Sequence, residues 1–265
     1  MRILSWNIAH RVEPWHALAK DETFDVALLQ EAKAPPADVK LEVFPDPAGW
    51  GPSPRTAVVR RPGRHSMTSL PTAPIGRAGR GVVSESRPGT IAAVEANLAN
   101  GEVVTLVSIY GHWEDPTAES GWIVADASVH RLISDVSLLV GSERGHRLIV
   151  AGDLNLLYGY GENRSPYWAG RYQTVFTRMA AIGLPFVGPQ HPDGLQAEPW
   201  PDELPRQSKN VPTFRPTSGV ASRQLDYVFA SRELVPRLRV RAANKPDEWG
   251  PSDHCRVEIG LDEHA

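Results

Sequence analysis

Leu148-Ile-Val-Ala-Gly-Asp-Leu-Asn155 is an apolar run that stops abruptly at a carboxylate and an amide. Residues Leu148 to Gly152 show no polar alternation, which fits a strand covered on both faces inside a layered α/β protein. Asp153 and Asn155 then stand at the strand's end, where loops of such proteins build their sites. The same arrangement recurs outward from this segment. Asn7 closes the apolar run Arg2 to Ile8, Glu31 follows Asp25-Val-Ala-Leu-Leu-Gln30, and Ser252-Asp-His254 precedes the strand-like Arg256 to Leu261. Between the first two runs, Trp15, Leu18 and Ala19 recur at helical spacing, so the chain opens strand, helix, strand. Asn100-Gly101 lies between two strand-like runs, Thr90 to Asn97 and Glu102 to Tyr110, and predicts a hairpin with a type I′ turn. An amphipathic stripe over Val124 to Val140 and a second helical segment over Tyr172 to Ala181 complete the helices. Six prolines between Val187 and Pro212 predict a long surface loop, and Gln224 to Phe229 and Leu238 to Arg241 read as strands.

The 265 residues show no internal repeat and no linker between two cores, so one domain spanning 1–265 is expected. Hydrophobic residues at 41% and charged residues at 22% exclude a disordered chain. No apolar run is of membrane-spanning length, no signal-like segment opens the chain, and Cys255 is the single cysteine. Disulfides and multi-cysteine zinc sites are therefore excluded, and the expectation is a soluble, cytoplasmic monomer without a membrane partner. The net charge of -3 gives no global case for binding nucleic acid. Local charge does: Arg55 to Arg87 holds seven arginines against Glu85 alone, and Arg206 to Lys245 holds nine basic residues against Asp226 and Glu233. Arg60, Arg215 and Arg223 are the substrate-binding candidates from these segments.

Glu31, Asp153 and Asp253 are hard oxygen donors, the kind that magnesium takes one or two of before filling its sphere with water and phosphate. Hydrolysis of a phosphodiester needs charge neutralised, a water oriented and its proton removed. A metal, a histidine such as His254 beside Asp253 and oriented by Asp226, and amide donors supply those functions.

The segments Leu4-Ser-Trp-Asn-Ile8, Leu28-Leu-Gln-Glu31, Ala151-Gly-Asp-Leu-Asn155, Gln224-Leu-Asp-Tyr-Val228 and Pro251-Ser-Asp-His254 resemble, in this order, the motifs of the endonuclease/exonuclease/phosphatase superfamily. The pattern is nearest to that of exonuclease III-like bacterial nucleases. The resemblance implies a four-layer α-β-β-α sandwich, two packed mixed sheets flanked by helices with all motifs at one rim. It implies Glu31 as principal metal ligand with Asn7 and Asp253 beside it. Asp153 would position or deprotonate the attacking water, Asn155 would donate to a phosphate oxygen, and His254, held by Asp226, would contact the scissile phosphate. Nuclease members place a tyrosine where Tyr110 stands, whereas members similar to deoxyribonuclease I place a histidine, for which His112 is the alternative. Ala9 replaces an acidic residue common in abasic-site endonucleases, and His10 and Arg11 beside it read as a surface pair at the helix start.

Aromatic faces stack unpaired bases, and Trp168 and Trp249 are the tryptophans retained as substrate contacts from a set that includes Trp113 and Trp122. Cys255 reads as a small buried apolar residue. The first functional reading is a magnesium- or manganese-dependent nuclease acting on DNA. The alternatives are hydrolysis of a small or lipid phosphate ester and a non-catalytic scaffold of the same fold.

Overall fold

Alternation along each strand sets the layering. In the computed structural model, which describes residues 1–114, 124–141, 147–217 and 219–264, strand β1 (Arg2–Asn7) sends Ile3 into one apolar core and Leu4 and Trp6 into another. Strand β2 (Val26–Ala32) divides Val26 and Leu28 from Ala27 and Leu29 in the same way. In β10 (Leu148–Asp153), Ile149 and Ala151 enter the core shared with β1, while Leu148 and Val150 face outward into a third core. Both faces of these strands are apolar, so each sheet must be covered twice.

The described residues form two six-stranded mixed sheets and a small parallel pair, β6 (Thr72–Pro74) with β7 (Val83–Glu85). In spatial order the first contains β13 (Leu238–Ala243), β14 (Arg256–Leu261), β1, β2, β4 (Arg55–Arg60) and β3 (Glu42–Phe44). The second contains β11 (Phe186–Gly188), β12 (Asp226–Ala230), β10, β9 (Val103–Tyr110), β8 (Ile91–Asn97) and β5 (Met67–Leu70). Their inner faces pack on each other. Helix α1 (Glu13–Lys20) covers the outer face of the first sheet with Trp15 and Leu18. Helices α2 (Asp126–Val140) and α3 (Pro166–Ala181) cover the second with Val129, Leu132, Val136, Val175 and Phe176. This is the expected four-layer sandwich. Both sheets repeat one pattern at their centres: β1 is parallel to β2 and β10 is parallel to β9, so four carboxyl-terminal strand ends meet at one rim.

Two glycines hold that rim together by close approach. A Cβ on Gly152 would lie 1.8 Å from the Ile109 carbonyl oxygen, and one on Gly111 would lie 2.3 Å from that of Leu154. Three expectations need correction. The hairpin of β8 and β9 exists, but Leu98 and Glu102 close it through a hydrogen bond of 2.8 Å and only Gly101 has positive φ, so it is a three-residue loop with a bulge and not a type I′ turn. Helix α3 starts at Pro166, well before Tyr172, because the Ser165 hydroxyl caps it by accepting from the Trp168 amide. The proline-rich segment begins as the edge strand β11. Trp122 lies outside the described residues. No described helix is long and apolar enough to cross a membrane.

Candidate active site

One buried amide joins the two sheets. Asn7 at the end of β1 donates from Nδ2 to Glu31 Oε1 at 3.0 Å and to Asp153 Oδ2 at 2.9 Å, while its Oδ1 accepts from the Ala9 amide at 2.9 Å. Asn7 was expected beside Glu31 as a metal ligand; it lies beside Glu31, its Nδ2 orders the two carboxylates, and its Oδ1 keeps one lone pair beyond the bond from Ala9. Glu31 has φ 51°, at a register shift between β2 and β4. A non-glycine residue in this region costs on the order of 1 kcal/mol or more, and such a bulge re-aims its side chain, here across the rim towards the second sheet. The Ser252 hydroxyl donates to the Asn7 carbonyl at 2.7 Å, and Trp6 Nε1 donates to the His254 carbonyl at 2.9 Å. These bonds tie the Ser-Asp-His segment to β1.

Asp153 and Asp226 are cross-strand partners in the β10–β12 ladder. His254 lies between them, with Nδ1 at 2.8 Å from Asp226 Oδ2 and Nε2 at 3.8 Å from Asp153 Oδ2. All three side chains are buried. Burial opposes the charge of His254, but the carboxylates of Asp226 and Asp153 outweigh it and raise the imidazole to about 10. Burial pushes Asp153 up to about 7, with Asp226 and Glu31 adding to the rise and His254 opposing it. The site therefore pairs a histidine that is cationic at neutral pH with a carboxyl group that titrates there. Thr213 Oγ1 accepts from the amides of Leu225 and Asp226, and the Phe214 ring lies 5.1 Å from that of His254, tilted by 53°.

Tyr110, at the end of β9, is paired with Asp153. Its hydroxyl bonds Glu31 and Asn155, and burial together with the Glu31 and Asp153 charges drives its acidity far below that of an ordinary phenol. His112 stands behind it, 5.9 Å away ring to ring, and faces Arg87 and Glu114; burial and then Arg87 lower its basicity. Asn155 adopts φ 52°, donates its amide N–H to Asp153 Oδ1 at 2.8 Å and gives one Nδ2 proton to the Gly111 carbonyl at 2.9 Å. Its second Nδ2 proton goes to the Tyr110 hydroxyl, so a substrate oxygen would take it over from Tyr110.

Glu31, Asp153, Asn155, Asp253 and His254 line a single pocket of about 170 Å³ together with Trp113, Glu162, Phe214, Arg223 and Leu225. No three His, Cys, Asp or Glu side chains among the described residues form a ready-made metal cage. Glu31 and Asp253 are nonetheless oxygen donors on one pocket, a set that suits magnesium, which needs few protein ligands, better than zinc.

The remaining candidates divide. Arg223 lines the pocket, and Arg215 sits at its edge, its amide bonded to the Asp253 carbonyl and its guanidinium 4.8 Å over Trp249. Arg60 was placed with substrate, but it pairs in register with Val26, at the opposite end of β2 from Glu31, and is held by Glu42. The two arginine-rich segments are split by the antiparallel strands that carry them: Arg55 and Arg87 reach the rim, whereas Arg60, Arg237 and Arg239 lie at the far end. Trp249 is buried with Val211, Ala242 and Cys255, and Trp168 packs in α3 beneath Arg171; neither lines the pocket. Cys255 is buried as expected. Sequence reading missed the exposed Trp113, Phe214 and Glu162 as pocket walls, and His10, whose Nε2 is 3.0 Å from Glu31 Oε2 and not simply at a surface helix start. Trp113 follows the Tyr110 strand directly and was within reach of the sequence; Phe214 and Glu162 arrive from remote loops.

The family model described as Endonuclease/Exonuclease/phosphatase family matches residues 4–254. The chain belongs to this family. With it the protein is a phosphoester hydrolase, and the fold agrees with solved relatives. The endonuclease domain of TRAS1, a telomere-specific non-LTR retrotransposon, is 15% identical over 100% of this chain and 99% of its own, with a TM-score of 0.65. The catalytic domain of APE2 from Xenopus laevis is 18% identical over 98% of this chain and 91% of its own, with a TM-score of 0.63. The 3′ phosphatase NExo from Neisseria, bound to a product DNA hairpin, is 17% identical over 99% of both chains, with a TM-score of 0.59. A sequence search of curated proteins found no match.

Proposed function

We propose that this protein is a divalent-metal-dependent phosphodiesterase that cleaves DNA. The observation that carries the reading is the convergence of Glu31, Asp153, Asn155, Asp253 and His254 on one pocket from strands of both sheets. Tyr110 in the nuclease-type position and neighbours whose names specify endonuclease or DNA-bound phosphatase support nucleic acid as the substrate. Glu31 and Asp253 would hold magnesium or manganese, which when bound supplies positive charge against the phosphate oxygens. The chain's own groups do the rest. His254, cationic through Asp226, holds a non-bridging phosphate oxygen and stabilises the charge that grows there. Asn155 donates to the same group the Nδ2 proton that otherwise bonds the Tyr110 hydroxyl. Asp153, poised near neutrality, orients the attacking water and takes its proton. Asn7 keeps Asp153 and Glu31 at fixed separation, and Tyr110 braces Glu31 from the other side.

A second reading, hydrolysis of a small or lipid phosphate ester, is favoured by the division of the arginines between the two ends of the sheets. A panel of abasic and intact duplex DNA, single-stranded DNA, RNA and phosphorylated lipids, assayed with magnesium and with excess chelator, separates the two. Cleavage of DNA that is lost on chelation and in Glu31→Gln supports the first. Turnover confined to lipid or small esters replaces it with the second.

A further inference from the structure

The pocket has a wall that hydrolysis itself does not use. Arg223 reaches it from the segment that forms bridges Phe214 to Arg223 and Phe214 to His254, so its backbone is in register with the catalytic histidine. Its carbonyl accepts from the amides of Thr213 and Phe214 at 2.9 and 3.0 Å, which fixes its direction. The guanidinium is held by both oxygens of Glu162, at 3.0 and 3.4 Å. Glu162 comes from a separate loop, a short 3-10 turn in which Asn163 and Arg164 both have positive φ. Arg223 is the one guanidinium among the described pocket-lining residues, which also include the carboxylates Glu31, Asp153, Glu162 and Asp253. For an anionic substrate entering the cavity, its one lining arginine is therefore already paired. The pair remains 41% and 28% exposed, so its bond is weak enough for a phosphate to displace.

We infer that Glu162 is a specificity-determining residue that competes with substrate for Arg223, so that Arg223 is released only to a chain presenting a second phosphate beside the scissile one. This deepens the nuclease reading and rests on it. A cavity of about 170 Å³ walled by Trp113, Phe214 and Leu225 holds one sugar or base next to the reacting phosphate. Arg223 at its edge is then within reach of the next phosphate of a polynucleotide. An ester with a single phosphate has no second one with which to displace Glu162. The competition gives opposite signs to the two residues. Removing Glu162 frees the cation and strengthens polynucleotide binding, whereas removing Arg223 weakens it.

The test measures KM on a short DNA oligonucleotide and on a model diester with one phosphate, and binding of a non-hydrolysable phosphorothioate oligonucleotide by fluorescence anisotropy, for wild type, Glu162→Gln, Arg223→Ala and the double variant. Glu162→Gln is expected to tighten oligonucleotide binding by about two- to five-fold, the range of a part-exposed ion pair. Arg223→Ala is expected to weaken it about ten-fold or more, the range of a charge-assisted hydrogen bond. The double variant should match Arg223→Ala, and the KM changes should be larger on the oligonucleotide than on the diester. If both single variants weaken binding, or neither alters it, while wild type still cleaves DNA, the pair is a structural brace and the inference falls alone. If wild type cleaves the diester but neither binds nor cleaves the oligonucleotide, the nuclease reading falls and takes the inference with it.

Discussion

Neutralising Asp226 tests how the catalytic histidine is kept charged. Asp226→Asn retains the side chain's shape and an acceptor for His254 Nδ1, now at 2.8 Å, but deletes the foremost of the charges that raise the imidazole to about 10. Unit charges centred about 4 Å apart interact by about 4 kcal/mol at an effective dielectric near 20. At about 1.4 kcal/mol per decade, proton affinity falls by nearly three decades. Burial, which opposes the charge, is unchanged, and Asp153 at 3.8 Å is the main carboxylate left. The variant's imidazole should therefore lose its proton about two to three pH units earlier than wild type. The sign for stability follows from the same linkage. A histidine raised from its ordinary value of 6.5 to about 10 contributes stability that is full below pH 6.5 and lost as pH rises through 10. In the variant that loss should instead occur as pH rises through about 7 to 8. The assays are a kcat profile from about pH 6 to 10.5 at saturating magnesium and urea denaturation at both ends of that range. Alkaline limbs that coincide in the two proteins would refute the charge argument, and with it the role given to Asp226.

His254→Ala should lower kcat by about two to four orders of magnitude, more than Asp226→Asn at neutral pH, because it removes the oxyanion-stabilising group and not its partner; steady-state kinetics rank the two. Arg60→Gln, at the far end of β4, should leave oligonucleotide KM within about two-fold, whereas a larger rise would place a substrate track along that edge. Gly152→Ala should destabilise the fold by about 4 kcal/mol or more, since its Cβ would lie 1.8 Å from the Ile109 carbonyl; urea midpoints read this directly.

What the amino-acid sequence determined by itself was the layering and the chemical inventory. Strand character is local: unbroken apolar runs at β1, β2 and β10 signal coverage on both faces, and the helical stripe of α2 signals one face. The polar residues at the strand ends were legible for the same reason, because Asn7, Glu31, Asp153 and His254 interrupt apolar runs that have no other use for them. Tertiary structure decided the rest. Asn7 and Asp153 are 146 residues apart in the chain and 2.9 Å apart in the fold, and nothing along the sequence states which atom of the amide faces which carboxylate. Basic clusters misled because an antiparallel sheet carries neighbours in sequence to opposite ends, so that Arg55 and Arg60 of one strand lie at different rims. Trp168 and Trp249 misled because their burial depends on cores assembled from distant segments, which bring Val211 and Ala242 to Trp249. Glu162 and Phe214 escaped notice since a pocket wall is a property of the space between loops, and that space exists only once both sheets have closed on their shared core.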